Sequence, residues 1–390
     1  MKDFIYENPT KIYFGRDSLS HLKEELNKYG DNILLVYGMN SIKRIGLYDK
    51  VIKVLKQTKK NVFELSGVTP NPKADKLYEG MNIVRNNHID FILAVGGGSV
   101  IDLAKGISAS SYCYDDDPFE KYWVNKLPLD NEVVPLGAIL TMTGTGSEAN
   151  GGSVISKGEY KIGRVFPPNV YPRFALMNPT FTYSVSEYQM LSGIFDIFSH
   201  LMEQYFSDFD NNVSDSLLEA LMKDLIKNTK IAIKSPHNYE ARSNIMWIST
   251  LALNTITGVG KSQDWEVHNI EHQLSAYTDC AHGMGLSSIS VPYYKKIYLD
   301  GVDKFFKFAT NVFNIKKKRS ELTKDVALKG ILALEKFIKD SKMVYSIKEF
   351  NVNEEMIRNI ANSVDLETGG YKTLTHEDVY DILIDSYNAK

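Results

Sequence analysis

Cysteine is nearly absent from this chain. Two of 390 residues, Cys113 and Cys280, are too few for a disulfide framework and suit a reducing, cytoplasmic setting. An excess of one charge is missing too. The formal net charge is −3 without blocks of like residues, so neither nucleic acid nor an anionic membrane is an expected partner. No apolar run is long enough to cross a bilayer, and no basic-then-apolar leader is expected at the start. Two phosphate-binding signatures also fail. The run Gly96-Gly97-Gly98-Ser99 is not followed by the Gly-Lys-Ser/Thr of a P-loop, and Ile101 stands where a dinucleotide fingerprint has its third glycine.

The length allows two domains, each with a sizeable core. Ile5–Gly15 reads as an edge strand limited by Pro9, followed by a charged helix over 17–29. Apolar runs at 33–37, 62–65 and 89–95 then alternate with amphipathic segments at 42–57 and 73–87. Strands about every thirty residues with helices between them predict βαβ units and a parallel sheet. The glycine run therefore joins the third of these strands to a helix over 100–108. There, glycines let backbone N–H groups approach a phosphate, although a tight turn needs them equally. Residues 110–131, with the acidic Asp115–Pro118 turn, read as irregular. Tyr122 and Lys126 mimic the acid pair of short-chain dehydrogenases, but in a proline-flanked loop they read as a decoy. A further strand over 133–140 runs into Thr141–Asn150, whose glycine and hydroxyl density suits phosphate or amide contacts. Residues 151–183 read as β-rich, with Lys161 and Arg164 as loose cations.

From about Ser184 the apolar period becomes 3.6 and stays there, with helices expected at 186–206, 213–234, 238–257, 262–278 and 285–298. The predicted boundary separates a dinucleotide-type α/β domain, 1–183, from a helical domain, 184–390. Two i,i+4 pairs fall in the helical part: Asp196 with His200, and His268 with His272. His282 follows ten residues on. Residues four apart share a helix face, and imidazoles with one carboxylate suit a divalent metal. One His-x3-His pair alone is more often surface or satisfied core. Asp196, however, sits in an apolar run where an uncompensated carboxylate is costly. A cleft between the two domains would bring phosphate loops and metal together.

These motifs, in this order over nearly the whole chain, resemble the iron-dependent (group III) alcohol dehydrogenases, particularly the branch of butanol dehydrogenases and broad aldehyde reductases. The matching segments are Gly96–Asp102, Thr143–Glu148, Gly193-x2-Asp196-x3-His200 and His268-x3-His272-x9-His282-Gly283. Branch-level likeness lies in Met246-Trp247, Leu253-Asn254 and Gln263-Asp264-Trp265. Asn178-Pro179 departs from the expected Asp-Pro. The resemblance implies a Rossmann-like N-terminal domain plus an all-α C-terminal domain, the dehydroquinate synthase-like fold, usually dimeric through N-terminal strands. It also implies Asp196, His200, His268 and His282 as metal ligands, with His272 beside the nicotinamide as a candidate in proton transfer. Gly97, Gly98 and Ser99 would hold the pyrophosphate, with Asp102 close by and counted with His272 among the catalytic candidates. Thr141, Thr145, Ser147, Asn150 and Lys161 match residues around the nicotinamide and its ribose, and Asn71 and Thr182 complete the implied cofactor surface.

Members that prefer NAD carry Asp at the end of the first sheet strand. This chain has Gly38 there, followed by Asn40, Ser41, Lys43 and Arg44, which favours the 2′-phosphate of NADP(H). The expected activity is hydride transfer between NADP(H) and primary alcohols or aldehydes such as butanol and butanal. The expected metal is Fe²⁺, with Zn²⁺ a competitor on ligand type. Alternatives are a zinc polyol dehydrogenase of the glycerol dehydrogenase type, which lacks the Asp-x3-His pair, and a non-catalytic metal- or nucleotide-binding protein.

Overall fold

The computed structural model describes every residue except Asp115, Glu159 and 208–211, so part of the expected acidic turn lies outside the described residues. The chain divides into two compact units: Glu7–Val185, and Ser186–Lys390 together with Met1–Tyr6.

The first unit holds strands β1 (Lys11–Phe14), β2 (Asn32–Tyr37), β3 (Asn61–Leu65), β4 (Phe91–Gly96), β5 (Leu136–Leu140), β6 (Gly152–Lys157), β7 (Tyr160–Val165) and β8 (Phe174–Met177). Six of them form one sheet in the order β1-β8-β5-β4-β2-β3, and every neighbouring pair is parallel. The unbroken apolar runs of β2 and β4 explain this. A parallel sheet is covered on both faces, so a strand that alternates polar with apolar would expose the wrong side. Helices α1 (Leu22–Leu26), α2 (Ser41–Arg44), α3 (Leu47–Gln57), α4 (Ala74–Asn87) and α5 (Gly98–Ser110) make the crossovers. The register pairs Tyr37 with Val95 and Gly96 with Leu140. The loops that follow Tyr37, Gly96 and Leu140 therefore leave the same edge of the sheet, where α/β proteins place their ligands. β6 and β7 form a separate antiparallel ribbon.

Several sequence expectations are corrected here. The opening strand shrinks to Lys11–Phe14, because residues 1–6 pack with the helical unit. The expected helix over 42–57 splits in two at Gly46, whose φ of +67° no helix interior accommodates. The segment read as irregular contains one turn of π-helix at Phe119–Val124. It is pinned by buried Trp123, whose indole N–H donates to Ser153 O at 2.9 Å. Tyr122, part of the supposed acid pair, is buried and donates to Asp130 Oδ1 at 2.9 Å.

The second unit is helical: α6 (Glu187–Tyr205), α7 (Asn212–Lys234), α8 (Tyr239–Leu253), α9 (Glu266–Thr278), α10 (His282–Ile297), α11 (Val302–Lys307), α12 (Thr323–Asp340), α13 (Glu354–Ser363) and α14 (His376–Tyr387). Helix α6 is its axle. Ser186 caps it by accepting from the Gln189 amide, and every residue from Met190 to Tyr205 is buried. A helix apolar on all sides needs partners on all sides, and α7, α8, α9 and α10 all pack on it.

Candidate functional site

Helix α6 carries Asp196 and His200 one turn apart, both deep in the helical unit. Helix α9 carries His268, and α10 opens on His282. Two glycines allow α10 to come close enough. A Cβ on Gly283 would stand 1.8 Å from Ser192 O of α6, and one on Gly285 would stand 2.7 Å from Glu271 Cγ of α9. The Gly283 amide donates to Ser192 Oγ at 3.1 Å.

The result is convergence on one oxygen. Asp196 Oδ1 lies 3.3 Å from His200 Nε2, 3.5 Å from His282 Nε2 and 3.7 Å from His268 Nε2. The ligand atoms of Asp196, His268 and His282 all fall within 4.8 Å of one another. Asp196 Oδ1 and His268 Nε2 are buried and have no hydrogen-bond partner among the described residues. Ligands bound at about 2.1 Å around a tetrahedral ion are about 3.4 Å apart, so these separations fit a shared cation. Buried polar atoms aimed at one point and left without hydrogen bonds fit it as well.

Electrostatics agree. Burial pushes the Asp196 carboxyl up, but the three surrounding imidazoles outweigh it and hold the group well below the ordinary range. Burial drives His200 down to about 3, whereas His268, also opposed by burial, is raised to about 10 by Glu203 and Asp196. Without a cation, one imidazole is thus held neutral and another takes up a proton. A dication would replace that proton and serve the whole set.

His272 lies one turn beyond His268, its ring centroid 6.2 Å from that of His268 and 5.5 Å from that of His282. It is half-buried, and with Glu271 and His282 it forms a second group of close ligand-type atoms. Two carboxylates went unnoticed in the sequence. Glu203 Oε1 lies 2.6 Å from His268 Nδ1, and Glu271 Oε2 contacts His282 Nδ1. The signal was present, since 196, 200 and 203 follow the i, i+4, i+7 pattern of one helix face.

Apart from His272, the expected cofactor residues lie in the α/β unit. Gly97, Gly98 and Ser99 are half-exposed at the start of α5, beyond the C-terminal end of β4. The Thr141–Asn150 loop covers them closely: a Cβ on Gly98 would meet Thr145 Cγ2 at 2.5 Å. Gly38, Asn40, Ser41 and Lys43 follow β2 at the same sheet edge, and Asn71 is half-buried with φ of +52°. Other candidates serve the loop's own architecture. Asp102 accepts from Ser147 Oγ and from the Val154 amide, the latter at 3.1 Å. Asn150 accepts from Lys105 Nζ and donates to Thr145 O and Gly146 O. Thr182 is buried and donates to Pro179 O at 2.7 Å. Thr141 is buried at the end of β5. Lys161, read as a loose cation, is instead buried on β7. Asn178, the departure from Asp-Pro, keeps the local turn by accepting from the Thr180 amide at 3.0 Å.

Comparison with known proteins agrees with this arrangement. The chain is 36% identical to NADH-dependent butanol dehydrogenase A of Clostridium acetobutylicum, over 99% of this chain and 100% of that protein. It is 33% identical to NADPH-dependent aldehyde reductase YqhD of Escherichia coli, covering 84% of each. The crystal structure of NADH-dependent butanol dehydrogenase A from Thermotoga maritima superposes with a TM-score of 0.92 at 32% identity, over 98% of both chains. Residues 9–179 match the iron-containing alcohol dehydrogenase family and residues 190–387 match the C-terminal region of the Fe-containing alcohol dehydrogenases. The chain belongs to the iron-containing alcohol dehydrogenase family.

Proposed function

We propose that this protein is a metal-dependent alcohol dehydrogenase and aldehyde reductase, interconverting primary alcohols and aldehydes such as butanol and butanal with NADP(H). The observation that carries the reading is the convergence of three imidazole nitrogens on one bare carboxylate oxygen, in a chain of this family. Asp196, His200, His268 and His282 would hold Fe²⁺, or Zn²⁺ as a substitute. When bound, the cation supplies Lewis-acid polarisation of a carbonyl oxygen and the reduced dinucleotide supplies a hydride.

The chain's own residues supply the rest. The N-terminus of α5 offers the amides of the Gly97–Ser99 turn and its dipole to a pyrophosphate. Lys105 Nζ donates to Ser147 O and Asn150 O, with Asp102 at 3.7 Å, so both residues position the loop over that turn. In the reducing direction the carbonyl carbon gains the hydride and the oxygen gains a proton. His272 is the candidate proton donor, directly or through water and a ribose hydroxyl.

The NADP preference rests on charge at the end of β2. Gly38 supplies no carboxylate there, and Asn40, Ser41 and Lys43 are exposed. On the neighbouring strand, Glu64 accepts from the Tyr37 and Tyr48 hydroxyls at 2.6 and 2.9 Å. Lys43 Nζ stands 5.2 and 4.9 Å from those two rings, leaving the local balance favourable to a phosphate. We also infer a cytoplasmic homodimer. Both thiols are free and buried, and β1 is the edge strand of the sheet, where a second copy can pair.

The test is aldehyde-dependent oxidation of NADPH and NADH by protein reconstituted anaerobically with Fe²⁺ or Zn²⁺, before and after chelation. Turnover with butanal, faster with NADPH and abolished by the chelator, is expected. Metal-loaded protein that oxidises neither cofactor with any primary aldehyde would instead be a binding protein.

A further inference from the structure

Two carboxylates stand behind the candidate centre rather than in it. Glu203 and Glu271 are 1% and 0% exposed, and neither is needed to complete the set of Asp196, His200, His268 and His282. Each is spent on the outer nitrogen of a candidate ligand. Glu203 Oε1 lies 2.6 Å from His268 Nδ1, its Oε2 accepts from the His268 amide at 3.2 Å, and Ser199 Oγ donates to Oε1 at 2.7 Å. Glu271 Oε2 contacts His282 Nδ1 across the junction of α9 and α10. The third imidazole differs, for His200 Nδ1 is buried with no hydrogen-bond partner among the described residues.

Burying two more carboxylates beside Asp196 is costly unless something answers them. An imidazole whose Nδ1–H donates to a carboxylate is locked in the tautomer that presents Nε2 as a lone pair. The carboxylate also makes that nitrogen a stronger donor to a metal. Both nitrogens so presented, on His268 and His282, are ones that converge on Asp196 Oδ1.

We propose that Glu203 and Glu271 are positioning residues that set the centre's affinity for a divalent cation, acting through His268 and His282. The proposal rests on the metal-centre reading above and assigns a function to residues outside that ligand set.

The test uses the full chain with Glu203→Gln or Glu271→Gln, titrated with Co²⁺ against a chromophoric chelator. Glutamine keeps the length and a carbonyl acceptor but loses the negative charge. Each variant is expected to raise the Co²⁺ dissociation constant about 10- to 100-fold and to alter the visible spectrum of bound Co²⁺. Dinucleotide binding, read by nicotinamide fluorescence, should stay at the wild-type value. A purely structural role predicts a changed metal-free melting temperature with the Co²⁺ affinity and spectrum both unchanged. Wild-type Co²⁺ affinity in both variants overturns the proposal. Should both fail to fold, Ser199→Ala decides. Loss of its hydrogen bond to Glu203 should weaken Co²⁺ binding several-fold, and unchanged affinity would overturn the role of Glu203. A wild-type chain that binds no Co²⁺ refutes the metal centre itself, an outcome distinct from any of these.

Discussion

Replacing Gly283 by alanine is the sharpest mechanical probe of the candidate centre, because it adds one methyl group at a helix contact without touching any ligand. The new Cβ would stand 1.8 Å from the Ser192 carbonyl oxygen, 2.6 Å from its carbon and 3.0 Å from its Cα. All three are backbone atoms, so no side chain can rotate away. Ordinary contact needs about 3.5 Å, and α10 must therefore retreat from α6 by about 1.7 Å. His282 is the adjacent residue, and its Nε2 now lies 3.5 Å from Asp196 Oδ1. A retreat along that line takes the pair to about 5 Å. Two ligands each about 2.1 Å from one ion cannot be more than about 4.2 Å apart. The variant should thus lose His282 as a ligand, at an overpacking cost of about 1–3 kcal/mol. Metal content after gel filtration and calorimetric melting read the two effects separately. Expected are a substoichiometric metal content and a melting temperature lower by about 2–4 °C per kcal/mol. Full metal occupancy with unchanged melting would refute the claim that this contact sets the His282 position.

Other perturbations reach other parts of the account. Lys105→Met removes the ammonium that serves Ser147 O, Asn150 O and Asn150 Oδ1, orphaning acceptors at about 1–3 kcal/mol each. Nicotinamide fluorescence should show weakened dinucleotide binding, while metal content stays unchanged. Asp264 is buried, accepts from Tyr293 Oη at 2.5 Å, and is raised by burial from its ordinary value to about 7. The unfolded chain gives up this proton first, so the carboxyl costs nothing below about pH 4 and destabilises progressively as pH rises towards 7. Asp264→Asn should therefore gain on the wild type across that window, by on the order of 2–4 kcal/mol in urea titrations; a pH-independent difference would refute the assignment. Removing the metal should lower the melting temperature, since metal held at a hundredfold excess over its dissociation constant contributes about 2.7 kcal/mol. Differential scanning fluorimetry with and without chelator checks this.

Much of the architecture was legible because burial on both faces leaves a strong mark. The runs at 33–37 and 89–95 became β2 and β4 within two residues, since strands covered on both sides must be apolar throughout. Helix α6, expected at 186–206, spans Glu187–Tyr205. The failures lie where tertiary contacts overrule local pattern. Ile5 and Tyr6 left the strand expected over Ile5–Gly15 because the first six residues join the helical unit, where the Lys2 amide donates to Gly260 O at 2.8 Å, a partner over two hundred residues away. The π-helical turn at Phe119–Val124 is likewise held by Trp123 reaching β6. Within the site, helical spacing revealed Asp196, His200 and His268. It could not tell that Ser147 donates to Asp102 or that Lys105 donates to Ser147 O and Asn150 Oδ1, because those bonds join α5 to a loop some forty residues downstream.

The most direct test of the central claim is metal stoichiometry in the wild type and in Asp196→Ala, each reconstituted anaerobically with Fe²⁺ and desalted. The convergence on Asp196 Oδ1 predicts one ion per wild-type chain. It predicts essentially none in the variant, whose α/β unit should still bind NADPH. An Asp196→Ala protein that retains a full equivalent of iron would contradict the account.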